Sequence, residues 1–326
     1  MKAIVQEKYG PPDRLTLREI DRPPVADDGV LVRVQAASVN PADFHMIRGE
    51  PFPARLMMGG RRALRRPTHP VPGTDVSGIV DAVGARVTEF QPGDEVFGAR
   101  TGAFAEHVSG AERNFVPKPA RVTFEQAAAL PVAGITALQG LRDKGGLQPG
   151  QRVLINGAAG GVGSFAVQIA KAFGAEVTGV CSAGNVDLVR SIGADHVVDY
   201  TTEDFTRDGN AYDLILDNVG NRPLSALRRV LTPNGTLILN GGGIGLPRLA
   251  ARMLSAVVLT KVGSQRLTSF LAQLRKEDLV VLKELVEGGK VTPVVDRRYP
   301  LAETPEALRY LEAGHARGKV VIDVGS

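Results

Sequence analysis

Up to about residue 120 the chain sets short apolar or β-branched runs between turn residues. Gly29-Val30-Leu31-Val32-Arg33-Val34 and Ser77-Gly78-Ile79-Val80-Asp81-Ala82-Val83 stand among Pro-Pro, Asp-Asp-Gly and Pro-Gly-Asp punctuation. The pattern predicts a β-rich domain without βα alternation, opened by a strand at Met1–Gln6. At Thr123 the texture changes: Thr123-Phe124-Glu125-Gln126 opens an Ala-rich helix, with Thr at the cap and Gln at the capping-box position. Beyond Gly150 strands and helices alternate. The predicted strands are Arg152–Asn156, Glu176–Cys181, His196–Tyr200, Tyr212–Asp217 and Thr236–Asn240, with helices starting near Gly163, Gly184 and Arg222. Crossover helices between strands imply a parallel, doubly wound sheet, so the fold class is α/β. The last part predicts a helix over Thr268–Glu287, a strand Val294–Tyr299, a helix Thr304–Ala313 and a closing strand Lys319–Val324. Periodicity leaves open whether that strand rejoins the N-terminal domain.

Length and composition narrow this picture. A chain of 326 residues calls for two domains, and 43% apolar against 23% charged residues gives enough apolar surface to build their cores. Basic and acidic residues nearly balance, 39 against 35, so neither a nucleic-acid nor a membrane partner is expected. The longest apolar stretch, near Ala250–Val262, carries Arg252 and Lys261 and falls short of the ~20 residues of a spanning helix. A single cysteine, Cys181, allows neither an intramolecular disulfide nor a multi-thiolate metal site. With no signal-peptide pattern at the N-terminus, the expected location is the cytoplasm. The five histidines, His45, His69, His107, His196 and His315, form no metal-ligand motif and are expected at surfaces or turns. The segment Arg48–Arg66 holds six Arg and one Glu and is read first as a solvated loop, with an anion-greeting role as the alternative.

The chemistry concentrates after Arg152–Asn156, where Gly157-Ala158-Ala159-Gly160-Gly161-Val162-Gly163 leads into an amphipathic helix. A glycine turn between a parallel strand and a helix lets the backbone approach a pyrophosphate and aims first-turn N–H groups at it. NAD sites place an acid at the end of the second strand, about 20 residues on, to accept the ribose 2′-hydroxyl. Here Val180-Cys181-Ser182-Ala183-Gly184-Asn185 contains none. Ser182 and Asn185 are instead able to donate to a 2′-phosphate, so the expected cofactor is NADPH. Asn218, Val219, Gly241 and Gly242 follow further strands, at the carboxyl ends where open α/β sheets bind ligands.

The order of motifs resembles the quinone oxidoreductase family of the zinc-independent medium-chain dehydrogenases/reductases. Those motifs are Asn40-Pro41-Ala42-Asp43 with Arg48-Gly49, Pro72-Gly73-Thr74-Asp75-Val76-Ser77-Gly78, Gln91-Pro92-Gly93-Asp94-Glu95-Val96, Thr136-Ala137-Leu138, the glycine turn, and Gly318-Lys319-Val320-Val321. The resemblance implies a GroES-like β domain over residues 1–121, completed by about 290–326, and a Rossmann domain over 122–289, with the active site in the cleft and a homodimer as the assembly. Zinc-containing relatives carry ligands at the positions of Asn40, Thr74 and Val132 and a relay hydroxyl at that of Ala42; none is a ligand type or a hydroxyl donor of that kind here. Carried over by position, Asn40, Asp43 and Thr136 sit near the nicotinamide, and Ser182, Asn185 and Tyr200 surround the adenosine 2′-phosphate and adenine. Read from the residues alone, Tyr200 fits packing at a strand end and Asp43 fits an acceptor for backbone N–H groups in its turn. The implied activity is NADPH-dependent hydride transfer to a small electrophile, a quinone or α,β-unsaturated carbonyl, without zinc. An enoyl-thioester reductase and a non-enzymatic NADPH-binding protein, crystallin-like or RNA-associated, are the alternatives.

Overall fold

The strand Gly29–Val39 is buried along its length except near Arg33 and Gln35. Asp75–Val83 pairs antiparallel along one of its edges, while His107–Ala111 and Lys319–Asp323 share the other. A central strand covered on both faces reads as a nearly continuous apolar run, which is why Gly29–Val34 stood out. In this computed structural model residues 1–50, 66–207, 209–241, 255 and 263–325 are described. Most of the Arg48–Arg66 segment, most of Ala250–Val262 and Gly242 lie outside the described residues.

A seven-stranded sheet runs in the order Val295–Pro300, Lys319–Asp323, Gly29–Val39, Asp75–Val83, Glu95–Ala99, Phe115–Pro117, with His107–Ala111 beside Gly29–Val39. The closing strand therefore rejoins the N-terminal domain. Ile4, Val32, Phe104, Phe115, Leu308 and Ile322 are among the residues of its core. Thr123 caps the helix Phe124–Ala128 through Gln126, the two side chains each bonding the other's backbone N–H.

The second sheet has six strands, in the order His196–Asp199, Glu176–Cys181, Arg152–Asn156, Tyr212–Asp217, Leu231–Leu239, Arg266–Ser269, every pair parallel. Helices Gly161–Ala172, Val186–Ser191 and Leu224–Arg229 form the crossovers. Leu154, Val180, Tyr212, Ile215 and Leu237 lie at the centre of this core. The two compact units are Met1–Ala133 with Leu274–Glu287 and Pro293–Ser326, and Gly134–Gln273 with Gly288–Thr292. Their boundary falls at Ala133 rather than 121 because the capped helix Phe124–Ala128 packs on Gly29–Val39 and Asp75–Val83.

Two expectations need correction. The helix predicted over Thr268–Glu287 is two elements: Arg266–Ser269 is an edge strand pairing with Leu231–Leu239, and the helix is Lys276–Glu287. Leu267, 5% exposed, joins the sheet core, and the helix starts where Glu277 and Asp278 enter the first turn, next to the positive end of the helix dipole. His107 is not at the surface. It is 4% exposed in the strand His107–Ala111, and burial lowers its pKa.

Candidate active site

In the second unit the chain leaves Arg152–Asn156 through Gly157, whose φ of +81° favours glycine. A Cβ on Gly163 would lie 2.0 Å from the Gly157 carbonyl oxygen, so this helix turn closes against the strand end only without a side chain. Gly160 differs: a Cβ there would meet nothing nearer than 3.5 Å. The helix Gly161–Ala172 starts at that open position with Gly160 as its cap residue, and its first N–H groups have no acceptor inside the helix. Ala159 is buried; Gly161 and Val162 are half-buried at the first turn. This turn lies at the switch point of the sheet, where the chain builds Glu176–Cys181 and His196–Asp199 outward on one side of Arg152–Asn156 and then returns to place Tyr212–Asp217 on the other.

Neighbouring strand ends supply polar groups. After Glu176–Cys181, Asn185 Nδ2 donates to Ser182 Oγ at 3.0 Å, and Asn185 Oδ1 is buried without a hydrogen-bond partner. Tyr200, just past the end of the next strand, is 46% exposed. Asp217, fully buried, accepts from Asn156 Nδ2 at 2.8 Å and from the Gly220 and Val219 N–H groups at 2.9 and 3.3 Å, which shapes the turn after its strand. Within that turn Asn218 Oδ1 accepts from Asn240 Nδ2 at 2.7 Å, while Asn218 Nδ2 is buried without a partner. Val219 is 41% exposed, and a Cβ on Gly241 would fall 1.8 Å from the Asn218 carbonyl oxygen. Buried polar atoms are normally paired, so two side-chain atoms lacking partners beside a glycine-lined turn fit a dinucleotide that supplies the missing partners.

One residue in this region escaped sequence reasoning. Asp199 lies opposite Cys181 in the parallel register, and hydrogen bonds from the hydroxyl and N–H of Thr201, with a further one from the Ala183 backbone, hold its carboxyl below the usual range. Positions 180–185 hold no acid, but the next strand brings this one beside the Ser182 turn. The signal was strand register, which a residue count along one strand cannot reveal.

The first unit gathers a buried polar cluster. Asn40 is the cap residue of the helix Pro41–Arg48, and its backbone N–H donates to Asp43 Oδ2 at 2.7 Å. Asp43 Oδ1 accepts from Thr74 Oγ1 at 3.3 Å. Asp43 is fully buried, and burial together with the charge of Asp75 pushes its carboxyl up to about 7. Asp75, also fully buried, accepts at Oδ2 from Ser38 Oγ (2.8 Å) and Asn40 Nδ2 (2.9 Å) and at Oδ1 from the Val132 N–H (2.9 Å). Lys319 Nζ reaches Asn40 Oδ1, the Val39 carbonyl oxygen and Asp75 Oδ2.

The three positions matched to zinc ligands, Asn40, Thr74 and Val132, thus contribute an amide, a hydroxyl and a main-chain N–H, all already engaged around two carboxyls and an ammonium. Zn²⁺ takes thiolate, imidazole or carboxylate in a tetrahedral set and is repelled by a cation, so this donor set does not fit it. Among the described residues no group of three or more His, Cys, Asp or Glu is placed to hold a metal. The structure brings Asn40 and Asp43 together in one unit and the glycine turn, Ser182, Asn185, Tyr200, Asn218, Val219 and Gly241 together in the other. Thr136 lies on the helix Pro131–Gln139 and is 8% exposed. Asp75 and Lys319 stand in the motifs that carry the family resemblance but were given no role there, and Ser38 was not singled out; a lysine opening the apolar run Val320-Val321-Ile322 was the available sign.

Comparison with known proteins agrees with this architecture. Residues 26–120 match the alcohol dehydrogenase GroES-like domain, and residues 192–322 match the family described as zinc-binding dehydrogenase. The mouse mitochondrial NAD(P)H oxidoreductase RTN4IP1 is 37% identical over 99% of this chain and 89% of the relative. A tomato (Solanum lycopersicum) 2-methylene-furan-3-one reductase is 34% identical over 99% of this chain and 79% of its own. The Escherichia coli quinone oxidoreductase solved in complex with NADPH superposes with a TM-score of 0.82 at 26% identity, covering 99% of this chain and 100% of that one.

Proposed function

Since the chain belongs to the quinone oxidoreductase family of the medium-chain dehydrogenases/reductases, we propose that it is an NADPH-dependent reductase of quinones or α,β-unsaturated carbonyls that works without zinc. It is an NAD(P)H-dependent oxidoreductase of the quinone and alkenal reductase type. The observation that carries its cofactor site is the pair of buried amide atoms without partners, Asn185 Oδ1 and Asn218 Nδ2, on either side of the glycine turn, an acceptor and a donor that the hydroxyls and phosphates of a dinucleotide would satisfy.

In this reading Gly157–Gly163 holds the pyrophosphate, Ser182, Asn185 and Tyr200 meet the adenosine end, and Asn218, Val219 and Gly241 line the path between. A bound reduced nicotinamide supplies the hydride. Asn40 and Thr136 offer hydrogen-bond donors to the acceptor oxygen as charge develops on it, and holding the acceptor at near-attack distance contributes the rest. A conjugated acceptor spreads that charge over its π system, so no Lewis acid is required. Asp43, fully buried and bonded to the Asn40 backbone, acts as the acceptor that shapes the turn. A cytoplasmic location is part of this proposal and rests on the balanced charge and the single buried thiol; no described helix is long and apolar enough to cross a membrane. A homodimer is the proposed assembly.

The test is NADPH and NADH oxidation with a panel of quinones, enones and enoyl thioesters, with elemental analysis of the purified protein. Turnover of quinones or enones with NADPH and no stoichiometric zinc supports the proposal. Turnover confined to enoyl thioesters would move the substrate class, binding without any turnover would make it a non-enzymatic NADPH protein, and one zinc per chain would refute the metal-free chemistry.

A further inference from the structure

Within the buried cluster of the first unit, nearly every hydrogen-bonding group is engaged. Lys319, 3% exposed, donates to Asn40 Oδ1 at 2.5 Å and to the Val39 carbonyl oxygen at 3.2 Å, and lies 3.3 Å from Asp75 Oδ2. Asn40, 2% exposed, is held at both ends of its carboxamide, Oδ1 by the ammonium and Nδ2 by Asp75 Oδ2 at 2.9 Å. A carboxamide carries two N–H donors on Nδ2. The second one has no partner among the described residues. An ammonium has donors only, so the Asn40 oxygen must face it; the reversed amide would set N–H groups against N–H groups and turn a carbonyl oxygen toward a carboxylate. The remaining group is therefore always a donor, and its direction is set by a residue from the far end of the chain.

We infer that Lys319 is a positioning residue of the reduction: its ammonium locks the Asn40 carboxamide so that the free Nδ2–H stands ready as a donor to the acceptor's developing oxyanion. This deepens the proposed function and rests on its reading of Asn40 as a donor. A donor already oriented needs no reorganisation when charge appears. Withdrawal of electron density through Oδ1 by a cation also makes the opposite N–H a better donor, as in other hydrogen-bonded chains of low local dielectric. Asp75 completes the device by fixing the other N–H, and is itself fixed by Ser38 and the Val132 backbone. A purely structural role, neutralising the buried Asp75, makes a different prediction.

The experiment is a cycle of Lys319→Met and Asn40→Ala, singly and combined, assayed with NADPH and 1,4-naphthoquinone and accompanied by ¹H–¹⁵N spectra of the protein without cofactor or acceptor. Each single change is expected to lower kcat roughly 10-fold with little change in KM, and the pair also roughly 10-fold, because residues acting as one unit are not additive. In the spectra the two Asn40 Nδ2–H signals, identified by their loss in Asn40→Ala, should converge in Lys319→Met as the amide loses its lock. A combined loss near ~100-fold, which is what independent effects give, or unchanged Asn40 signals in Lys319→Met, would overturn the inference. If Asn40→Ala leaves kcat intact, the proposed role of Asn40 fails, while the spectra still decide whether Lys319 orders its amide. Removing one partner of a buried ion pair is strongly destabilising, so Lys319→Met can fail to fold. Lys319→Arg then carries the same cycle with charge retained, a smaller but still non-additive loss supporting the inference and an additive one refuting it.

Discussion

The glycine turn of the second unit and the buried cluster of the first are both polar, but they are built oppositely. The turn is defined by space and by polar atoms without protein partners, at Gly160, Asn185 and Asn218. The cluster is defined by saturation, with Asp43, Asp75, Lys319, Ser38, Thr74 and the Val132 backbone bonded to one another and to Asn40. A site that takes a large ligand keeps hydrogen-bonding capacity in reserve; a site that orients one group uses nearly all of it.

Breaking the turn should have the largest effects, of two kinds. Gly163→Val drives a side chain into the Gly157 carbonyl and should abolish the folded second unit, seen as loss of its cooperative thermal transition. Gly160→Val meets open space, so the transition should stay near the wild-type temperature while NADPH affinity falls at least ~100-fold, about 2.7 kcal/mol, by fluorescence titration. Equal behaviour of the two variants would erase the distinction between a glycine the fold needs and a glycine the ligand needs.

The cluster is sharpened by pH. The Asp43 carboxyl is raised from 3.8 to about 7 in the folded protein, so between those values the folded state holds a proton that the unfolded state has released. Stability from this group is therefore full below about pH 4 and is lost as pH rises to about 7, by a few kcal/mol at ~1.4 kcal/mol per pH unit. Denaturant unfolding of wild type against Asp43→Asn should show this slope vanish in the variant; an unchanged slope would place the titrating group elsewhere.

Smaller effects test the edges of the turn. Ser182→Asp adds a second carboxylate near Asp199, and should reverse a preference for NADPH over NADH of at least ~10-fold, about 1.4 kcal/mol, by repelling the 2′-phosphate. Wild-type dissociation constants equal for the two cofactors would instead mean that Asp199 already serves as the ribose partner. Smallest of all, Asn218→Ala removes a donor without a protein partner together with the oxygen that accepts from Asn240 Nδ2. It should lower the melting temperature by no more than a few degrees and weaken cofactor binding only a few-fold, about 1 kcal/mol, the usual net value of one hydrogen bond. A large loss of stability there would show that its amide is structural.

Much of the second unit was legible because parallel strands buried on both faces carry their own boundaries: Arg152–Asn156, Glu176–Cys181 and Tyr212–Asp217 run as apolar segments between polar or glycine ends and form as read. Thr268–Glu287 failed because apolar residues at helical spacing continue from the edge strand through Phe270 and Leu271 into the true helix, and only sheet pairing divides them. His107 reads as a turn residue beside Glu106, yet its strand places it against Arg33 in the sheet. The cluster was hardest to see. Its members Asp75 and Lys319 are 244 residues apart, and no local pattern announces that two strands will set them side by side.

The pairing of Lys319–Asp323 with Gly29–Val39 also sets an order of events during synthesis. Domains generally fold as they emerge, from the amino end, but here the first unit to be made must wait for the strand Lys319–Asp323, made after the whole of the second sheet. Until that strand leaves the ribosome, Gly29–Val39 keeps an open edge at Ala36–Val39 and Asp75 has no cation to face. The Rossmann strands, complete by Ser269, have no such wait. A chain halted before residue 319 would therefore expose an unpaired strand edge and hold a buried carboxylate without its ammonium, two features that favour association with other unpaired strands over folding.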